Sequence, residues 1–322
     1  MPDHTDDPAP STAAASISVV VPVYGSAGSL PELVRRLTAA VAPIASEYEI
    51  LLVDDGSLDD SWSVVQRLAL ENGAVRGVAL ARHYSPHNAL LAGIRLARFD
   101  VTVTLDDDFF QRPEEIPELL EALVPGVDLV YGYPTSEHFS LRRNVRSRVT
   151  KVALGAAVDA QVAAHITGFR VFRTALRDGF GEVQDPFLSL DVLLSWTTTR
   201  SVAVAIKGGQ RSGTGRRVPR LSVQAGLNLL TGFGTTPLRV VTMLGVGLGL
   251  LGAALLVYVL GAYAVHGDGA QGFTFIASAI AIFSGAQLLA LGIIGEYLGR
   301  MHYRAMRRPA YIVRSATRPP RP

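Results

Sequence analysis

Residues 101–108 read VTVTLDDD, four alternating Val and Thr residues, a Leu, and three consecutive carboxylates. β-Branched residues in that pattern predict a buried strand, and the acids sit at its C-terminal end. Continued strand geometry would point Asp106 and Asp108 to one side and Asp107 to the other. Clustered carboxylates are costly without a cation, and oxygen donors suit a hard divalent ion, Mg²⁺ or Mn²⁺. A solvated acidic turn is the plainer alternative.

The same pattern recurs on both sides of this stretch. Upstream, residues 17–24 (ISVVVPVY), 49–55 (EILLVDD) and 75–81 (VRGVALA) predict strands, and residues 128–132 (DLVYG) supply another downstream. Helical spacing fills the gaps: 29–42, with Leu30, Leu33, Val34 and Leu37 on one face, then 60–71, 87–98 and 113–124. Alternating β and α units of this length imply a parallel sheet with helices on both faces. Ligands bind at the carboxyl ends of such strands, where Asp54, Asp55 and the 106–108 acids lie. No glycine-rich phosphate cradle of the Walker or dinucleotide type is present, so a nucleotide would be held through a metal.

The second half differs in kind. Residues 141–152 (LRRNVRSRVTKV) predict a basic amphipathic helix, 167–176 a strand, 186–197 a helix and 201–206 an edge strand. Segment 209–220 (GQRSGTGRRVPR) is basic and glycine-rich, and 219–238 reads as a juxtamembrane helix. Two apolar stretches follow, 240–263 and 273–295, without a single charged residue. At ~1.5 Å per residue each can cross a hydrocarbon core of ~30 Å. Arginines flank the pair, while the link at 264–272 holds one acid and no Lys or Arg, which puts both chain ends in the cytoplasm. Gly245 and Gly249 form a small-xxx-small pair that could pack the hairpin on itself or on a second copy. Residues 300–322 read as a basic cytoplasmic tail, and residues 1–16, without aromatic or base, as a disordered one.

Composition narrows the choice. The 322 residues carry 30 Lys+Arg against 28 Asp+Glu, with a mean hydropathy of +0.27. That near-neutrality hides a split. Residues 1–138 hold 21 acids and 8 bases, net −13, whereas residues 139–322 hold 7 acids and 22 bases, net +15. An acidic front and a basic back imply two different partners. The absence of cysteine excludes disulfides, thiolate metal sites and catalytic thiols. His83 and His87, four apart, could ligate a metal, although His87 also suits a helix start. Glu296 stands in apolar company one turn from Arg300, as a functional acid or an interfacial ion pair. Arg170 could bind phosphate or brace a carboxylate.

In order, the segments VVVPVY, LLVDDGS, ALARHYSPHNALLAG, LDDDFFQRPEEIP and DLVYG resemble the GT-A domain of glycosyltransferase family 2. ITGFRVF, SGTGRR, TTPLR and LGIIGEYLGR look like its bacterial polyprenyl-phosphate branch, and the resemblance spans about residues 17–313. It implies a Rossmann-like GT-A catalytic domain at 17–218, amphipathic juxtamembrane helices, and a transmembrane hairpin within 239–299. Carried over by position, Pro22, Tyr24, Asp55 and Arg82 would contact base and ribose, and Asp106 and Asp108 would hold the metal and diphosphate. Arg143 and Ser147, with Arg211 and Ser212, would hold the acceptor phosphate. Asp191 matches an acid of a related sub-branch, as a general base or an orienting group. Three positions depart from the pattern. Gly25-Ser26 replaces Asn-Glu, Phe110 takes the place of a metal-assisting Gln now found at 111, and Gly168 replaces an acid.

The implied reaction moves one sugar from a nucleotide-diphosphate sugar to polyprenyl phosphate with inversion, at the cytoplasmic face of a bacterial inner membrane. A phosphate monoester, with a second pKa near ~6, is already anionic at neutral pH and can attack without a base. Two rivals remain, a polysaccharide-extending synthase and a degenerate, non-catalytic membrane module. Synthases of the first kind carry a QxxRW motif, which this chain lacks. No nucleic-acid partner is expected.

Overall fold

The computed structural model describes residues 15–135, 165–181, 183, 190–207, 273–306 and 309–317, with scattered positions between 243 and 261. Two compact units are present, Met1–Ser222 with Pro309–Pro322, and Val223–Arg308.

The first unit is an α/β domain on one eight-stranded sheet. Its elements are β1 (Ala15–Val23), α1 (Leu30–Val41), β2 (Ala45–Asp54), α2 (Ser61–Glu71), β3 (Val75–Leu80), α3 (Pro86–Leu96) and β4 (Val101–Thr104). Then come α4 (Ile116–Glu121), β5 (Leu129–Pro134), β6 (Arg170–Arg173), α5 (Leu190–Thr197), β7 (Ser201–Ile206) and, after the second unit, β8 (Val313–Ala316). The order is β7-β5-β6-β4-β1-β2-β3-β8. β1 runs parallel to β2 and β4, as do β2 with β3 and β5 with β7, whereas β6 and β8 are antiparallel. The sheet is therefore mixed and mostly parallel, the α/β architecture the resemblance implied.

Burial explains the apolar runs. Val19–Val23 are buried without exception because β1 is central and covered on both faces. α1 buries Leu30, Leu33, Val34, Leu37 and Val41, the 3–4 spacing of one helical face. Ser85 caps α3, accepting a hydrogen bond from the Asn88 amide at 3.3 Å, with Pro86 at the first helical position.

Three expectations need correction. The fourth strand stops at Thr104, so the acids lie in a turn and the alternation assumed for Asp106, Asp107 and Asp108 does not govern them. The helix expected over 113–124 is a 3-10 turn, Pro113–Glu115, followed by α4, because Pro113 and Pro117 each begin a helical segment instead of continuing one. The strand expected over 167–176 is β6 alone, followed by a 3-10 turn at Thr174–Gly179. One element was not foreseen from the sequence: β8, from the segment read as a tail, pairs with β3.

In the second unit the backbone of α6 (Phe273–Ala305) is helical for 33 residues. Within this unit Gly252 meets a second helical segment: a Cβ there would lie 2.9 Å from Phe283 Cζ. Among the described residues no helix is long and apolar enough to cross a membrane, and the side chains of several α6 positions lie outside that set. Also outside it are 1–14, the 141–152 helix with Arg143 and Ser147, the 209–220 loop with Arg211 and Ser212, the 219–238 segment, Gly249 and most of 240–263.

Candidate active site

The sheet order reverses at β1, which lies between β4 and β2, so the exits of β1 and β4 border the crevice where an open α/β sheet binds its ligand. Asp107 stitches the two exits together. Its Oδ2 accepts hydrogen bonds from the Tyr24 amide at 3.2 Å and from the Ser26 hydroxyl. Gly25 between them is left-handed (φ 67°) and donates its amide to Ser57 Oγ at 3.1 Å. Ser26 donates its own amide to Ser61 Oγ at 2.9 Å. The Gly25-Ser26 departure thus builds a closed loop of its own.

One wall comes from the exits of β2 and β3. Asp55 is buried, 1% exposed, and its Oδ1 accepts from the Tyr84 amide at 2.8 Å. His83 Nδ1 lies 2.8 Å from Asp55 Oδ2. The His83 and Tyr24 rings are 4.4 Å apart at an angle of 39°. The Arg82 guanidinium sits over the Tyr84 ring, 4.8 Å from its centroid. Gly56 (φ 70°) lets the two exits touch, for a Cβ there would lie 2.4 Å from the Arg82 carbonyl carbon and 2.6 Å from the His83 nitrogen. Pro22 is buried in β1 opposite Val53.

The other wall is the 106–111 turn. Phe110 donates its amide to Asp108 Oδ1 at 3.1 Å, and Phe109 is left-handed (φ 59°), unusual outside glycine. The reversal brings Gln111 back onto Asp106. Gln111 Oε1 accepts from the Asp106 amide at 2.5 Å, and its Nε2 donates to Asp106 Oδ2 at 3.2 Å. Gln111 is 5% exposed, so Asp106 is clamped from beneath. Gly168, two residues before β6, closes the clamp, for a Cβ there would lie 2.8 Å from both Asp106 Oδ2 and Gln111 Nε2. An acid at 168 would have to push the ends of the Asp106 and Gln111 side chains aside.

Below the turn lies a buried charge cluster. Arg170 grips Asp191 with two hydrogen bonds, Nε to Oδ1 at 2.7 Å and Nη2 to Oδ2 at 2.9 Å, while Nη1 donates to the Gly168 carbonyl at 3.2 Å. Burial opposes the Arg170 charge, but the Asp191 carboxylate outweighs it and lifts the guanidinium above its ordinary pKa. Burial also pushes the Tyr131 phenol up, as does Asp191, to which it donates at 3.4 Å. His87 Nδ1 accepts from the Leu190 amide at 3.4 Å. Burial holds this imidazole below its ordinary value; Asp191 pulls the other way and Arg170 adds to the depression.

Among the described residues no group of three or more His, Asp or Glu side chains is arranged to hold a metal, and His83 and His87 take separate partners. Asp106 and Asp108 nevertheless offer hard oxygen donors on one half-exposed turn. An ion that keeps waters and substrate phosphates needs only one or two protein carboxylates, so the residues present fit Mg²⁺ or Mn²⁺. The sequence placed Asp107 only opposite Asp106 and Asp108, named His83 only as a possible metal ligand with His87, and marked Gln111 as the metal-assisting Gln displaced by one place; the contacts that these three make in the site carry no sequence signal.

The model of glycosyl transferase family 2 matches residues 18–180. The undecaprenyl-phosphate 4-deoxy-4-formamido-L-arabinose transferase of Pseudomonas fluorescens SBW25 is 32% identical over 307 residues, 94% of this chain and 90% of that protein. The protein of the same name from Aeromonas hydrophila is 33% identical over 316 residues, covering 94% and 95%. Among solved structures, glucosyl-3-phosphoglycerate synthase of Mycobacterium tuberculosis is 18% identical, with a TM-score of 0.47 over 68% of this chain and 80% of that one. With half of the chain matched by the family model, and relatives a third identical along nearly all of it, the chain belongs to glycosyl transferase family 2.

Proposed function

We propose that the protein is a metal-dependent glycosyltransferase that moves one sugar from a nucleoside-diphosphate sugar to polyprenyl phosphate at the cytoplasmic face of a bacterial inner membrane. The observation that carries this reading is the convergence of two walls at the β1/β4 switch point. Tyr24, Asp55 and Arg82 stand on one, and the clamped Asp106 with Asp108 on the other. The relatives' names, which specify transfer to undecaprenyl phosphate, support the acceptor class.

Each residue has a definable task. Tyr24 and Asp55 receive the nucleoside, with Arg82 beside them, and Pro22 shapes the strand exit beneath. Asp106 and Asp108 hold a divalent ion, which when bound neutralises the leaving diphosphate. Gln111 and Gly168 fix Asp106 before the donor arrives, so no reorganisation is needed during transfer. Asp191 has both oxygens on the Arg170 guanidinium and serves as a brace; the acceptor phosphate, already anionic, attacks without a base. Arg143, Ser147, Arg211 and Ser212 are proposed to bind that phosphate.

For the second unit we propose a two-span hairpin over 240–263 and 273–295. Exposed Ile276, Ile280, Leu288, Leu291 and Leu298 on α6 support contact with lipid, and the closeness of Gly252 to Phe283 supports a tight hairpin, which could also self-associate. Product analysis tests the reaction. One sugar on the lipid supports it, whereas a growing polymer or no transfer from any donor overturns it.

A further inference from the structure

Asp55, matched by position to a nucleoside contact, is 1% exposed, and the side chain that reaches the cleft surface in front of it is His83, 47% exposed. From this geometry we infer that His83 is a nucleobase-positioning residue, its imidazole packed against the Tyr24 ring and offering its outer face as the platform on which the donor's base stacks. The inference rests on the donor reading above and deepens it.

Three features hold the imidazole in place. Asp55 Oδ2 lies 2.8 Å from Nδ1, the Tyr24 ring packs at 4.4 Å, and the backbone of residue 83 abuts Gly56, whose absent Cβ would come within 2.6 Å of its nitrogen. A half-exposed imidazole with so little freedom is a prepared surface. The imidazole therefore offers a flat face for stacking. Arg82 next along the chain adds a cation beside Tyr84 for the anionic end of the same ligand. A nucleoside diphosphate carries both complementary parts, a π face and negative charge. The bland alternative is that His83 only shields the buried Asp55 carboxylate.

The two roles separate by substitution. His83→Asn keeps a polar group beside Asp55 but has no ring, whereas His83→Phe keeps a ring without a polar group. Binding of UDP, GDP, CDP and ADP to the full-length protein with Mn²⁺ is measured by calorimetry, alongside donor KM, kcat and melting temperature. The inference predicts that wild type prefers one diphosphate. His83→Ala and His83→Asn should both weaken it about tenfold, as loss of a stacking partner does. The loss should appear in donor KM with kcat little changed, at an unaltered melting temperature, and His83→Phe should recover part of the affinity. Equal affinity in His83→Ala, or full recovery in His83→Asn, overturns the platform and leaves the proposed function standing. Absence of diphosphate binding in wild type overturns both.

Discussion

At the residue scale, the clamp on Asp106 makes Gly168 the most demanding position of the site. Gly168→Ala should force Asp106 or Gln111 aside, with diphosphate affinity in the presence of Mn²⁺ falling about tenfold and stability by about 1–3 kcal/mol. Calorimetry and urea unfolding measure the two, and unchanged affinity would show that the clamp does not matter. Beneath it, Arg170→Met leaves a buried carboxylate without its partner and should cost about 3–5 kcal/mol, most of which Arg170→Met with Asp191→Leu recovers. Urea unfolding of the single and double variants checks this. His87 supplies the pH dependence. Its folded pKa lies below the ordinary 6.5 because of burial. The unfolded chain therefore takes up a proton that the folded one refuses. Stability is full above that value and falls as the pH drops below it, and His87→Gln should flatten this part of the curve in unfolding titrations. Asp106 and Asp108 were legible because three adjacent carboxylates after an apolar run repel one another and call for a cation. The Gln111 clamp was not, because it depends on a left-handed Phe109 that no periodicity announces.

At the scale of elements, long apolar runs and helical spacing placed β1, α1, β2, α2 and β3 to within a few residues. Buried faces leave a period in the sequence. β8 left none: Val313–Ala316 is short and mostly exposed, and is held by its backbone ladder and by neighbours far away in sequence. Thr317 extends the junction, accepting from the Gly77 amide at 2.9 Å, and Tyr311 lies 5.6 Å from the Arg95 guanidinium. Thr317→Val should cost about 1 kcal/mol in urea unfolding. Deleting 309–322 uncovers the β3 edge, so Val78, Ala79 and Leu80 should exchange their amide hydrogens faster and the protein should aggregate more readily. Unchanged exchange at β3 would mean that β8 contributes nothing to the sheet.

For the whole molecule, the division of charge into −13 and +15 at residue 138 falls inside the first compact unit, which runs to Ser222 and takes in Pro309–Pro322, so it does not mark the boundary between the two units. Topology is open to a clean test because the chain has no cysteine. A single cysteine placed at Gly267 should react with an impermeant maleimide added outside intact cells, and one at Ser315 should stay protected until lysis. Protection at both sites would contradict the two-span hairpin. The most direct test of the catalytic reading uses purified full-length protein with Mn²⁺, undecaprenyl phosphate and a panel of nucleoside-diphosphate sugars. One donor should yield a lipid-linked monosaccharide and free nucleoside diphosphate, with Asp108→Asn slower by about a hundredfold or more. No transfer from any donor, or an Asp108→Asn variant as fast as wild type, would contradict it.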